Sequence, residues 1–195
     1  MHALAPSLVA APAAKLIDVA TAKAHLRVDH SDDDTLIAGL IDSAIAHLDG
    51  WGGTLGRCLI TQTWREDFCG FPPCGRLRLR LAPIVDVVSI AYSDAANADQ
   101  ALQASVYAGP FTDALGPHVS LKFGAAWPSV YPRDDAVRVT YKAGYGLTAN
   151  DVPAAIRHAA LLMVGHWYEH REDAEAGTVP KASNILLAPL RRVTP

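Results

Sequence analysis

Hydrophobic positions change period twice along the chain, and three kinds of segment follow from that. Residues 18 to 57 carry a helical pattern. Asp18 can cap a short helix from Val19 to about Val28. The polar joint His30-Ser31-Asp32-Asp33-Asp34 follows. Ser31 is a candidate N-cap, and the aspartates sit in a first turn, where the helix dipole favours negative charge. Ile37, Leu40, Ile41, Ala44, Ile45 and Leu48 recur at 3/4 spacing and make one apolar stripe. Gly50, Gly52 and Gly53 stop that helix. Two helices joined by a short polar loop predict an antiparallel pair.

The middle of the chain shifts toward a period of two. Cys58 to Phe68 holds the β-favouring run Leu-Ile-Thr-Gln-Thr-Trp, and Arg76-Leu77-Arg78-Leu79-Arg80-Leu81 alternates strictly. Ile84 to Tyr92, Ala104 to Tyr107, His118 to Phe123 and Ala136 to Lys142 are further strand candidates, with Gly, Pro, Asp and Asn between them. Five or six short strands in this span predict a small antiparallel sandwich or barrel. The last third returns to helix. Pro153 suits a first helical turn. Ile156, Ala160, Met163, Val164 and Trp167 mark the buried stripe of a helix running to about Arg171, roughly 28 Å long at 1.5 Å per residue.

The expected fold is therefore α+β. It is a small antiparallel bundle of three main helices, with an antiparallel sandwich-like or barrel-like lobe inserted and an extended C-terminal tail. The expected division is an arm over 1–16, a bundle over 17–57 plus 150–172, a β lobe over 58–149 and a tail over 173–195. The tail contains Ile185-Leu186-Leu187-Ala188-Pro189-Leu190-Arg191-Arg192. Exposed apolar segments of this kind often mark contacts.

Composition narrows the function classes. Half of the 195 residues are hydrophobic and 19% are charged, which suits a globular chain. The 17 basic residues against 20 acidic ones leave a net charge of −3. That balance argues against tight non-specific DNA binding, which needs a basic excess. No apolar run approaches the 18 residues of a membrane span. The apolar stretch from Met1 to Ala14 is interrupted by Pro6 and Pro12 and lacks a preceding cation, so it is not expected to be a signal peptide. Cys58, Cys69 and Cys74 match neither a zinc knuckle nor a disulfide framework.

Three clusters could carry chemistry. His166-Trp167-Tyr168-Glu169-His170 matches H-x-x-E-H, which on a helix puts both histidines on one face. A small metal-dependent hydrolase would use His166 and His170 as ligands and Glu169 as base, with Glu172, Asp173 or Glu175 as a further ligand. The spacing is too short for the distant third ligand of such enzymes, and a helix end carrying cations explains the cluster more simply. Asp29 to Asp34 hints at a calcium loop but lacks the required glycine and terminal glutamate, so helix capping is the better account. Arg76, Arg78 and Arg80 line one strand face. They would meet a phosphate or acids on a neighbouring subunit, or remain solvated as charges guarding an edge strand. Gly144-Tyr145-Gly146 lacks the following helix and Lys-Ser/Thr pair of a phosphate loop.

Taken in order, several segments resemble the head–tail connector (adaptor, head-completion) family of tailed phages, including its prophage and gene-transfer-agent versions. They are Thr54-Leu55-Gly56-Arg57, Leu59-Ile60-Thr61-Gln62-Thr63-Trp64, Leu81-Ala82-Pro83-Ile84-Val85-Asp86-Val87-Val88-Ser89-Ile90, Tyr92-Ser93-Asp94 and Ala126-Trp127-Pro128. They continue with Val139-Thr140-Tyr141-Lys142-Ala143-Gly144-Tyr145-Gly146, Val152-Pro153-Ala154-Ala155-Ile156-Arg157, Trp167-Tyr168-Glu169-His170-Arg171-Glu172 and Leu186-Leu187-Ala188-Pro189-Leu190-Arg191. The likeness spans roughly residues 18 to 192. Ala82 stands where the family often has proline, and His170 where a smaller polar residue is usual.

The resemblance implies a non-enzymatic virion protein without a cofactor, assembled in the bacterial cytoplasm and located at the head–tail junction. It implies a ring, typically of twelve copies, beneath the portal protein. Such a ring lengthens the DNA channel and docks a stopper or tail-terminator protein. Portal contact would fall on Ile185, Leu186, Leu187, Pro189, Leu190, Arg191 and Arg192. DNA would pass through the lumen without specific binding, which suits a mildly acidic protein. The alternatives are the small metal-dependent hydrolase using His166, Glu169 and His170, and then another neck or tail-completion role.

Overall fold

The computed structural model describes residues 4–170 and 178–192. Among these, eight strands and four α-helices occur in the order β1 (Ser7–Ala10), α1 (Val19–Leu26), α2 (Asp34–Leu48), β2 (Gln62–Phe68), β3 (Arg76–Arg78), β4 (Ile84–Ser93), β5 (Asp99–Ala101), β6 (Tyr107–Asp113), β7 (Gly116–Leu121), β8 (Val137–Ala143), α3 (Ala154–Glu169) and α4 (Lys181–Leu187). Short 3-10 turns cover Ala149–Asp151 and Ala188–Leu190. The three-helix bundle with an inserted lobe is thereby corrected: the frame is two antiparallel sheets accompanied by four short helices, and the α+β class fits only in part. The C-terminal tail is not extended, because Lys181–Leu187 is helical and seats Ser183 and Leu187, one turn apart, inside the protein.

The chain divides into two compact units. The β unit comprises residues 4–13 and 61–144, and the helical unit comprises residues 14–60, 145–170 and 178–192.

In the β unit the strand order is β1-β2-β8-β4-β5 in one sheet and β3-β7-β6 in the other, with every pairing antiparallel. β2 and β8 form an unbroken seven-residue ladder from Gln62↔Ala143 to Phe68↔Val137. Alternation decides which face is buried. Gln62, Trp64, Glu66 and Phe68 point inward on β2, as do Val137, Val139, Tyr141 and Ala143 on β8. Leu77, Leu79, Leu81, Ile90 and Val119 are buried as well. Two polar side chains bond to each other in this interior: Tyr141 donates its hydroxyl hydrogen to Glu66 Oε1, and the Arg80 backbone N–H donates to the same oxygen at 2.7 Å. That second bond explains why the alternating Arg76–Leu81 run yields only three residues of β3. Beyond Arg78 the Arg80 amide turns to a buried carboxylate instead of a neighbouring strand.

The helical unit has a mainly apolar core, with the buried Ser183 hydroxyl bonded to the Ala159 carbonyl. Leu16, Ile17, Ile37, Ile41, Ala44, Leu48, Leu55, Leu59, Ile60, Ile156, Ala160, Met163, Val164 and Leu187 are buried together. Asp18 caps α1 by accepting a hydrogen bond from the Thr21 backbone N–H at 2.6 Å, and Arg27 ends it in the left-handed region. Asp33, not Ser31, occupies the N-cap position of α2. Its side chain does not cap; Asp33 Oδ2 accepts from the Tyr168 hydroxyl on α3 instead. The Ala149–Asp151 turn is closed by a capping box between Thr148 and Asp151, which brings the chain to Pro153 at the start of α3.

Candidate assembly surface

The C-terminal segment is built from α3 outward. Pro180 opens α4, and the Ser183 hydroxyl donates to the Ala159 carbonyl of α3 at 3.1 Å. Leu187 is only 1% exposed and belongs to the helical core. Leu186 and Leu190 pack partly against that core. Ile185 faces outward at 65% exposure, and Pro189 and Arg191 are exposed. The end of the segment is anchored at three points. Arg57 Nε donates to the Leu190 carbonyl at 2.7 Å, the Arg192 N–H to the Leu55 carbonyl at 3.1 Å, and Arg191 Nη2 to Asn184 Oδ1 at 2.7 Å. Gly56 lies beside Arg192 with φ at +59°, a conformation that favours glycine. The apolar run read as a contact tail thus splits by helical periodicity. Leu187 holds the unit together, while Ile185, Pro189 and Arg191 make a small outward surface.

The three strand arginines do not act as a set. Arg78 makes a two-pronged ion pair with Asp113 of the same chain, at 2.8 and 3.0 Å. Arg76 approaches that carboxylate at 3.6 Å, and His118 Nδ1 at 3.7 Å. The Arg78 hydrogen bonds hold the Asp113 carboxyl well below the usual carboxylate range, with help from the Leu115 backbone N–H. Arg80 Nη1 donates to the Leu4 carbonyl at 3.0 Å. The acid expected on a neighbouring subunit is supplied for Arg78 within its own chain.

At the end of α3 the rings of His166 and His170 lie 4.4 Å apart. His170 Nδ1 sits 2.8 Å from the His166 carbonyl and His166 Nε2 lies 3.4 Å from Thr178 Oγ1, so these ring nitrogens have protein neighbours. Among the described residues no group of three His, Cys, Asp or Glu side chains is placed to hold a metal ion. Glu172, Asp173 and Glu175 lie outside the described residues. In the acidic joint, Asp34 pairs with Lys23 at 2.7 Å.

Two surfaces of the β unit escaped the sequence reading. A shallow open groove of about 400 Å³ lies over Ser89, Ala91, Ala101 and Thr140, edged by Arg65 and Arg138. Its cations are already paired, Arg65 with Asp67 and Arg138 with Asp99, which leaves little charge to hold an anion. The other surface is β1, the outer strand of the larger sheet, exposed along all four residues. Its only signal in the sequence is Leu8-Val9 set between Pro6 and Pro12.

No protein-family model matches this chain, and no curated protein matches it. Solved structures do. The chain is similar over 97% of its length to 96% of a chain from the neck of an empty gene transfer agent particle, computed with C6 symmetry, at a TM-score of 0.78 and 24% identity. A chain of the virion of a native gene transfer agent particle matches equally, with the same coverage, TM-score and identity. A chain from the neck of a native particle, computed with C12 symmetry, matches at a TM-score of 0.76 and 23% identity. Both units of the present chain therefore have the fold seen in those particles.

Proposed function

We propose that the protein is a structural component of a phage-like particle, a head–tail adaptor at the neck. The observation that carries this reading is the likeness over nearly the whole chain to neck chains solved with sixfold and twelvefold symmetry. The protein would form a ring, typically of twelve copies, beneath the portal. It would lengthen the DNA channel and present a surface to a stopper or tail-terminator protein. Its role is mechanical, with no reaction to catalyse and no cofactor to hold. The net charge of −3 suits a conduit, because a basic lumen would retain DNA through counterion release.

Portal contact is assigned to the outward part of the C-terminal segment: Ile185, Pro189 and Arg191, with Leu186, Leu190 and Arg192 at its margin. Leu187 contributes by holding α4 in place. Truncation after Lys181 would remove Leu187 along with the contact surface, so point substitutions are the cleaner test. Capture of the full chain by its cognate portal should be lost in the variant Ile185→Asp, with the melting temperature unchanged. Undiminished capture would remove the portal assignment. Failure of the unaltered chain to bind portal at all would move the protein to another neck position.

A further inference from the structure

A rotationally symmetric ring of identical chains needs a heterologous contact, in which two different surfaces of one copy meet on successive copies. We infer that in this protein those surfaces are the two edges of the larger sheet, so that β1 of one copy pairs with β5 of the next. This inference rests on the ring reading above and specifies its interface.

The argument starts from what sheet edges cost. An edge strand exposes unpaired N–H and C=O groups, and soluble proteins guard such edges with charge, proline or bulges. The two sheets have four edges: β1 and β5 on one, β3 and β6 on the other. β3 carries Arg76 and Arg78. β6 has Pro110, which lacks an N–H, beside an irregularity between Ala108 and Phe111. β1 has no charge and no proline within its four residues, and its defences are its shortness and a register shift against β2 between Leu8 and Ala10. No charged residue occurs from Leu4 to Ala14, and the flanking prolines lie outside the strand. Leu8 is 49% exposed and Val9 57% exposed. This edge is therefore apolar and wet, which is unfavourable in an isolated copy and accounted for if another strand covers it.

The second copy's β5 is the occupant that ring closure favours. A β1–β1 pairing would be isologous and would stop at a dimer. β5 lies at the opposite edge of the same sheet and is similarly short, with every residue exposed. Its register with β4 alternates between hydrogen-bonded and non-bonded pairs. Asp94 N–H bonds to Ala98 and Leu102 N–H bonds to Ile90, so the backbone groups of Asp99 and Ala101 point away from β4.

Cysteine cross-linking tests this directly on the full chain, in a background with Cys69→Ser and Cys74→Ser. Val9→Cys is combined with Gln100→Cys, and Leu8→Cys with Ala101→Cys, to sample both side-chain parities. Ring state is followed by light scattering and negative-stain imaging. The inference predicts a non-reducing ladder that extends to the closed ring in at least one double variant and is absent from all four single variants. It also predicts that Val9→Lys lowers the ring population at least tenfold with the melting temperature unchanged. Dimers from Val9→Cys or Leu8→Cys alone would overturn it in favour of β1–β1 pairing. Rings that form without any ladder, and survive Val9→Lys, would overturn the edge contact and leave the ring reading standing. Absence of rings from both the purified chain and the assembled particle would overturn both.

Discussion

The helical unit and the β unit solve the same packing problem with different materials. The helical core is a continuous set of apolar side chains from Leu16 to Leu187, joined by the buried Ser183, whose hydroxyl is satisfied by a backbone carbonyl. The β unit buries Gln62, Glu66, Ser93 and His118 among its apolar residues, and Glu66 is fully enclosed. Apolar burial is non-directional and tolerates small shifts. A buried carboxylate must find donors in fixed places. The helical unit is thus specified mainly by pattern and volume. The β unit is specified by individual bonds that pin β2, β8 and the chain after β3 to one another.

The sharpest way to break that contrast is to remove the carboxylate. Glu66→Ala would leave the Tyr141 hydroxyl and the Arg80 amide without the oxygen that accepts from both. Orphaning two buried donors and opening a small cavity costs about 3–5 kcal/mol. The loss should fall on the β unit. Hydrogen exchange should accelerate for β2 and β8 amides while α2 and α3 remain protected. Glu66→Gln keeps an acceptor and should cost less. Equal acceleration in both units would show that they unfold together and that their difference is one of composition only.

The corresponding test of the helical unit is a pair of neighbouring leucine-like positions on α4. Leu187→Ala empties a core site and should destabilise by about 2–5 kcal/mol. Ile185→Ala, two residues away, trims an exposed side chain and should change stability by about 0.5 kcal/mol or less. Thermal melts of the two variants measure the difference. Similar losses would mean that the outward face of α4 is covered in the free chain, and would remove Ile185 from the proposed portal surface.

These two tests also mark where the sequence was readable. Ile37, Ile41, Ala44 and Leu48 were found by spacing alone because a long helix repeats its burial every three to four residues, and all four are buried. The same holds for Ile156, Ala160, Met163 and Val164 on α3. α4 was missed because its seven residues hold too few turns to establish a period. β1 was missed because a four-residue strand flanked by prolines has no local signature, and its partner β2 lies more than fifty residues away. The strict alternation of Arg76–Leu81 predicted too long a strand, since nothing nearby signals that Glu66 will capture the Arg80 amide. The surface proposed for the portal was half legible. Its apolar character marked the segment, but the same character at Leu187 serves the chain's own core.

The smallest expected effect concerns charge, and it would sharpen the comparison by extending it to the surface of the β unit. Asp113 joins β6 to β3 through Arg78, and that bond lowers its carboxyl pKa in the folded protein. A depressed pKa means that the unfolded chain binds the proton more readily, so the contribution is present above the unfolded value of about 3.9. It is lost as pH falls from there through the folded value. Asp113→Asn should therefore weaken the β3–β7–β6 sheet slightly at pH 7 and make no difference at strongly acid pH, where the wild-type carboxyl is also protonated. Exchange rates of β6 and β7 amides, measured at pH values on either side of 4 and corrected for intrinsic rates, provide the readout. Because the carboxylate is partly solvent-exposed, water and salt screen the pair, and added salt should shrink the difference further. A difference between wild type and variant that persists undiminished below pH 2 would show that Asp113 acts through its shape and its bond to the Leu115 amide, not through its charge.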